Sequence, residues 1–221
     1  MTMRMKKLLS ILAVAATVLL TACDEHQDFP DTAMKVGHIL CTDGKTMSYE
    51  DYQASGKQAI AVVFSINQRE EMEGKGYAVY LWDIAPKAFA DSMGVSQKTS
   101  ADLSAYDGNA NTFALYSAKN VRSPLAMSVV DLWRYGQSAY IPSVAQMRML
   151  YLAKDAINPL IVKCGGTPIP EEDDDRWYWT STEVEGQETA KAWLYSLGSG
   201  AIQETPKGQP HKARPIITIH D

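Results

Sequence analysis

The order of apolar patterns along the 221-residue chain predicts an α+β fold. Two nearly continuous apolar runs, residues 59–66 and 76–84, come first, with the length and β-branched content of strands covered on both faces. Segments with apolar residues at three- and four-residue spacing follow between Asp107 and Gly166. From Glu171 onward, short runs punctuated by Gly and Pro return to strand character. Strands, then helices, then strands describe segregated α+β architecture, because an α/β chain would interleave them.

Each element has a local reason. Residues 36–40 form a short strand candidate ended by the turn signal Asp43-Gly44, and 49–56 a brief helical turn stopping at Gly56. The polar 67–75 segment, with Gly74 near its end, joins the two long runs as a hairpin. In Asp107-Gly108-Asn109-Ala110-Asn111-Thr112 the Asn and Thr side chains can accept from the free amides of a first helical turn, and the helix should reach about Lys119. Ser123-Pro124 places an N-cap before a first-turn proline, and Leu125, Val129, Leu132 and Trp133 continue the stripe. A third helix starts at Ile141-Pro142-Ser143 with Val144, Met147, Leu150 and Tyr151 on its core face. Asn158-Pro159 should open a short fourth helix that stops at Gly165-Gly166. The strand candidates after Glu171 are 177–182, 190–197, 201–205 and 212–219.

The start of the chain reads as an export segment. Met5-Lys6-Lys7 is a positive lead, and residues 8–20 are apolar except Ser10 and Thr17, too short for the roughly 20 residues that span a bilayer. Leu20-Thr21-Ala22-Cys23 resembles the lipobox of bacterial lipoproteins, which implies cleavage before Cys23 and diacylation of that residue. More than one acyl chain suffices to hold a protein on a membrane, at about 0.8 kcal/mol per buried CH₂. The expected organisation is therefore a lipoprotein signal peptide over 1–22, an acidic flexible tether over 23–35 and one folded domain over 36–221, tethered to the outer membrane and surface-exposed. Arg4, Lys6 and Lys7 leave with the leader, so the mature chain holds 18 basic against 26 acidic residues. So acidic a chain has no means of neutralising a phosphate backbone, and nucleic acid is excluded as a partner. Of the other cysteines, Cys41 and Cys164 are free to pair in an oxidising compartment or to stay as buried thiols.

Five segments then occur in a recognisable order: Tyr140-Ile141-Pro142-Ser143-Val144-Ala145-Gln146-Met147, Ile157-Asn158, Tyr178-Trp179-Thr180-Ser181-Thr182-Glu183, Ala192-Trp193 and Lys212-Ala213-Arg214-Pro215-Ile216. Together with 107–112 they resemble the C-type-lectin-like domains of bacterial surface and phage proteins, over roughly residues 107–219. The superfamily includes the formylglycine-generating enzymes and variable proteins diversified by retroelements. One departure is that Ser138-Ala139-Tyr140-Ile141 stands where the family has Trp before Leu-Pro. The resemblance implies a structural role for Trp179, Ser181, Thr182, Trp193 and Arg214, with the tryptophans in the core, the hydroxyls tying loops and Arg214 a fixed cation beneath them. It also implies a recognition face on the C-terminal sheet. The outward candidates there are Arg176, Tyr178, Glu183, Glu185, Gln187, Tyr195, Gln203 and His211, residues suited to contacting a protein or glycan ligand.

No chemistry is expected. The motifs Glu-Pro-Asn, Gln-Pro-Asp and Trp-Asn-Asp of calcium-dependent sugar-binding lectins do not occur. His26, His38, His211 and His220 lack metal-ligand spacing, and the acidic run 171–175 fits no EF-hand loop. There is no Gly-x-Ser-x-Gly elbow or phosphate-cradling glycine loop, and Cys164 lacks the neighbouring cysteine of the formylglycine-generating enzymes. No catalytic residue, metal or cofactor is therefore expected. Two classes of function remain: a non-catalytic envelope binding protein, or a structural or fimbrial subunit of an envelope assembly.

Overall fold

The computed structural model describes residues 33–132, 139–171 and 177–220, of which 34–220 belong to one unit. The leader, Cys23, the tether up to Thr32, Trp133 and Arg176 lie outside the described residues. Strands β1 (Ile39–Cys41) and β2 (Thr46–Met47) form a hairpin about Asp43-Gly44. Helix α1 (Tyr49–Ser55) starts on Ser48, whose Oγ accepts from the Asp51 amide, and ends at Gly56 in the left-handed region at φ +66°. The first long run becomes β3 (Ala59–Ile66), paired antiparallel with β1 and with β4 (Gly76–Tyr80). After β5 (Ile84–Ala88) come α2 (Gly108–Ser117), α3 (Pro124–Val130), β6 (Ala139–Tyr140) and α4 (Val144–Lys163). The chain ends with β7 (Trp177–Glu183), β8 (Lys191–Ser196), β9 (Ile202–Pro206), β10 (Pro210–Ala213) and β11 (Ile216–Ile219).

These strands make two sheets, a six-stranded one in the order β2-β1-β3-β4-β11-β6 and a five-stranded one in the order β5-β10-β7-β8-β9. The fold class is α+β, as predicted. The near-continuous hydrophobicity of β3 has its expected cause, since both faces of the larger sheet are covered. On one face Ile39, Val62, Phe64 and Val79 meet Met147, Leu150, Ile157 and Ile161 of α4. On the other, Ala61, Val63, Ala78 and Ile217 join a cluster with Leu115 of α2, Leu125 and Val129 of α3, and Trp179 of β7.

Four expectations are corrected. Residues 76–84 and 212–219 are not single strands, because each crosses from one sheet to the other, at Leu81–Asp83 between β4 and β5 and at Arg214-Pro215 between β10 and β11. One ion pair clamps the two crossovers: buried Arg214 donates from Nη1 to Asp83 Oδ1 at 2.8 Å, and from Nη2 to the carbonyls of Leu81 at 3.1 Å and Thr167 at 2.7 Å. Pro159 does not open a fourth helix but lies inside α4. The helix continues because Ile157 and Ile161 are both buried on its core face, while Asn158 clamps the Ile169 backbone with two 2.8 Å hydrogen bonds. The Asn and Thr of 107–112 do not cap α2. Instead Asn111 donates to Asp107 and accepts from the Ser100 amide, and Thr112 Oγ1 donates to the Gly108 carbonyl and accepts from the Ile141 amide. Finally, α3 ends at Val130, short of the predicted Trp133.

The start of α4 is tied down from several sides. Ser143 and Gln146 form a reciprocal capping box, Ser143 Oγ donates to the Ala105 carbonyl at 2.6 Å, and the Pro142 carbonyl accepts from the Ser181 amide at 2.9 Å. Gly108 fits this junction only because it has no side chain. A Cβ there would lie 2.6 Å from the Ile141 carbonyl oxygen and 2.9 Å from the Ser143 nitrogen. Gly108→Ala should therefore destabilise the domain by about 1–3 kcal/mol, through backbone displacement, in denaturant titration. An unchanged midpoint would mean that α2 does not abut the α4 cap.

Candidate functional site

The residues predicted to face outward on the C-terminal sheet divide into three groups. Tyr178 and Tyr195 are a cross-strand pair on β7 and β8, 1% and 2% exposed, in the same core cluster as α4. Tyr178 also donates from its hydroxyl to Asp83 Oδ2 at 3.2 Å. Glu183 is fully buried at the end of β7. These three are corrected from contact residues to framework, because β7 and the part of β8 beside it are packed on both faces, so β7 has no outward side. Glu185, Gln187 and Gln203 reach the surface around the β7–β8 turn and the outer strand β9, where Gln187 and Lys191 both donate to Glu204 Oε2. His211 is half-buried on β10, separated from β9 by β7 and β8, with its ring edge-on to Trp179 at 5.4 Å between centroids. Burial pushes its imidazole pKa below the ordinary value. Among the described residues, the proposed contacts therefore do not converge on one face.

The residues expected in the framework are fully buried, with one exception. Trp179 is fully buried and donates from Nε1 to the Lys87 carbonyl at 3.0 Å. Ser181 and Thr182 are buried and tie loops, Ser181 Oγ accepting from Asn111 and Thr182 Oγ1 from the Val144 amide. Arg214 is the buried cation of the crossover clamp, at the Tyr178 end of β7. Trp193 is only half-buried and packs on the edge of the core rather than within it.

Glu183 has a different importance. Its Oε1 accepts from the Gln97 amide at 2.9 Å and from the ammonium of Lys207, and its Oε2 accepts from Ser96 Oγ at 3.1 Å. Lys207, fully buried, also donates to the Glu188 carbonyl at 2.6 Å and sits 5.1 Å from the centroid of the Phe89 ring. Burial depresses the Lys207 pKa, and Glu183 opposes that depression. This ion pair holds the 96–100 segment against the sheet, with Lys98 in the left-handed region at φ +60°.

That segment forms one wall of a cleft of about 410 Å³, opposite Ala114 and Ser117 of α2 and Val121 just beyond it. The volume is within the roughly 300–1,000 Å³ of small-ligand sites, and Val95, Ala114 and Val121 line it beside Ser96, Lys98 and Lys119. Gln97, 3% exposed, belongs to the wall, and neither polar atom of its carboxamide has a hydrogen-bond partner among the described residues. A buried unpaired amide is unfavourable by about 1–3 kcal/mol per group, so its retention calls for an explanation beyond packing. Phe113 and Tyr116, one helical turn apart on α2, are 62% and 51% exposed on the helix that lends Ala114 and Ser117 to the cleft. Sequence reasoning missed these residues. The available signal was that α2 has aromatics outside the core stripe defined by Asn111, Thr112 and Leu115.

Among the described residues, no group of three or more His, Cys, Asp or Glu is placed to hold a metal ion, and no helix is long and apolar enough to cross a membrane. Comparison of the chain with family models, curated proteins and solved structures gave no match.

Proposed function

We propose that the chain is a lipid-anchored binding protein of the bacterial cell envelope, acylated at Cys23, with a C-type-lectin-like domain that recognises a protein or glycan without catalysis. The observation that carries the recognition reading is the pair Phe113 and Tyr116, exposed on α2, the helix whose Ala114 and Ser117 line a cleft with its opposite wall held by the buried Glu183–Lys207 pair. Exposed aromatics on a rigid element give large contact area at low entropy cost. The recognition face is thereby moved from the C-terminal sheet to the α2 side. The lectin-like reading draws support from the way its motifs interlock: the Ile141-Pro142-Ser143 segment, Ser181-Thr182 and Asn111-Thr112 are joined by direct hydrogen bonds.

Two measurements test the reading. Cys23→Ser should release the protein from membranes, and persistence in the membrane fraction would remove the lipid anchor. A soluble 32–221 fragment should capture its partner from cell-surface material, and Phe113→Ala/Tyr116→Ala should reduce that capture at least about tenfold. Undiminished capture by the double variant would remove the aromatic face of α2 as the site. The outer strand β9, which ends its sheet beside β8 among the described residues, favours the assembly-subunit alternative. Self-association abolished by a proline within β9 would support that reading instead.

A further inference from the structure

We propose that Cys41 and Cys164 are a built disulfide site, joined by thiol–disulfide exchange in the folded protein so that the end of α4 is fastened to β1. Both thiols are free in the structure. Cys41 lies two residues beyond Ile39 on β1, so both side chains point to the same face of the sheet, the face covered by α4. Cys164 is the C-cap of α4 and packs on the same apolar cluster.

Two contacts flank the pair. A Cβ on Gly37, just before β1, would lie 3.0 Å from Leu160 Cδ1, and the Lys163 ammonium lies 5.1 Å from the Tyr49 ring centroid, just after the β1–β2 hairpin. Cys164 stacks one turn beyond Leu160, its amide donating to the Leu160 carbonyl at 2.9 Å. The helix end therefore runs over the segment that contains Cys41. Both backbones can adjust: the β1–β3 register shifts at Leu40/Cys41, and Cys164 ends its helix before Gly165 at φ +75°.

Burial pushes both thiols above their ordinary pKa, and the nearness of Cys41 pushes Cys164 further in the same direction. Both thiols therefore react slowly near neutral pH, and closure needs a two-electron acceptor, which a disulfide-bearing oxidant supplies. Cys164, the more accessible, loses its proton and attacks one sulfur of the oxidant, releasing the first oxidant thiolate and forming a mixed disulfide. Cys41 then loses its proton and attacks Cys164 Sγ, releasing the second thiolate. The two protein thiols are oxidised, the oxidant disulfide is reduced to two thiols, and these take up the two protons.

The site rests on packing alone and does not depend on the recognition reading. Its test uses the full chain carrying Cys23→Ser, folded, with glutathione disulfide as the probe. The expected product has lost the mass of two hydrogens, resists alkylation at both positions, gives a Cys41–Cys164 linked peptide and melts several degrees above the reduced protein. Cys41→Ser should instead stop at the glutathione adduct of Cys164. Two thiols that remain fully alkylatable, a glutathione adduct that Cys41 never displaces, or a link that forms only in denaturant would each overturn the proposal.

Discussion

Lys207→Met should lower the unfolding free energy by about 3–5 kcal/mol and the melting temperature by about 10 °C, the largest loss expected from one polar substitution in this domain. The reason is the partner left behind. Glu183 is fully buried, and without the ammonium its carboxylate keeps, among the described residues, the Gln97 amide and the Ser96 hydroxyl as donors. An isolated buried charge is far more unfavourable than a missing pair, so adding Glu183→Gln to Lys207→Met should recover most of the lost stability. The neutral amide can still accept from the Gln97 backbone. The double-mutant cycle is read by denaturant unfolding, with a coupling term of several kcal/mol expected. Additive effects of the two substitutions would mean that the charges do not meet. Because Glu183 also holds Ser96 and Gln97, the single variant should loosen the cleft wall, seen as faster amide exchange over 96–100.

The regular elements were legible where one local signal decided them. The Ser123 cap, the helix start at Ser143, the Gly56 stop and the doubly covered β3 all follow from residues adjacent in sequence. What could not be read depends on partners distant in the chain. Nothing local says that residues 76–84 must break, since the break belongs to a clamp between Asp83 and Arg214, 131 positions apart. Pro159 sends a stop signal that is overruled by Ile157, Ile161 and the Asn158–Ile169 clamp. The candidate site failed for a related reason. An alternating Trp-Tyr-Trp pattern on β7 implies one wet face, yet the strand has none, and Lys207, the residue that neutralises Glu183, looked like an ordinary turn lysine before Gly208. Exposed Phe113 and Tyr116 went unread because an aromatic on a helix is taken as core until the stripe opposite it is identified.

Tyr178→Ala and Tyr195→Ala should each destabilise the domain by about 3–5 kcal/mol, whereas Phe113→Ala and Tyr116→Ala should stay within about 0.5 kcal/mol of the parent. The tyrosines face each other across β7 and β8 inside the core, and truncation of either leaves a cavity against α4. Tyr178 carries a second penalty. Its hydroxyl shares the Asp83 carboxylate with Arg214, so its loss loosens the clamp at both sheet crossovers and leaves Arg214 with a less constrained counter-ion. Tyr178→Phe separates the two contributions, keeping the ring volume and removing only the hydroxyl, and about 1 kcal/mol of the loss should remain. On α2, the two aromatic rings are mostly in water already, and their removal changes little buried area. Partner capture should follow the opposite order: abolished on α2 without a stability change, and reduced at the tyrosines only as far as the folded fraction falls. Tyrosine variants that melt like the parent but lose capture would return the recognition face to the C-terminal sheet, since a side chain that can be deleted without destabilising the fold is not part of its core.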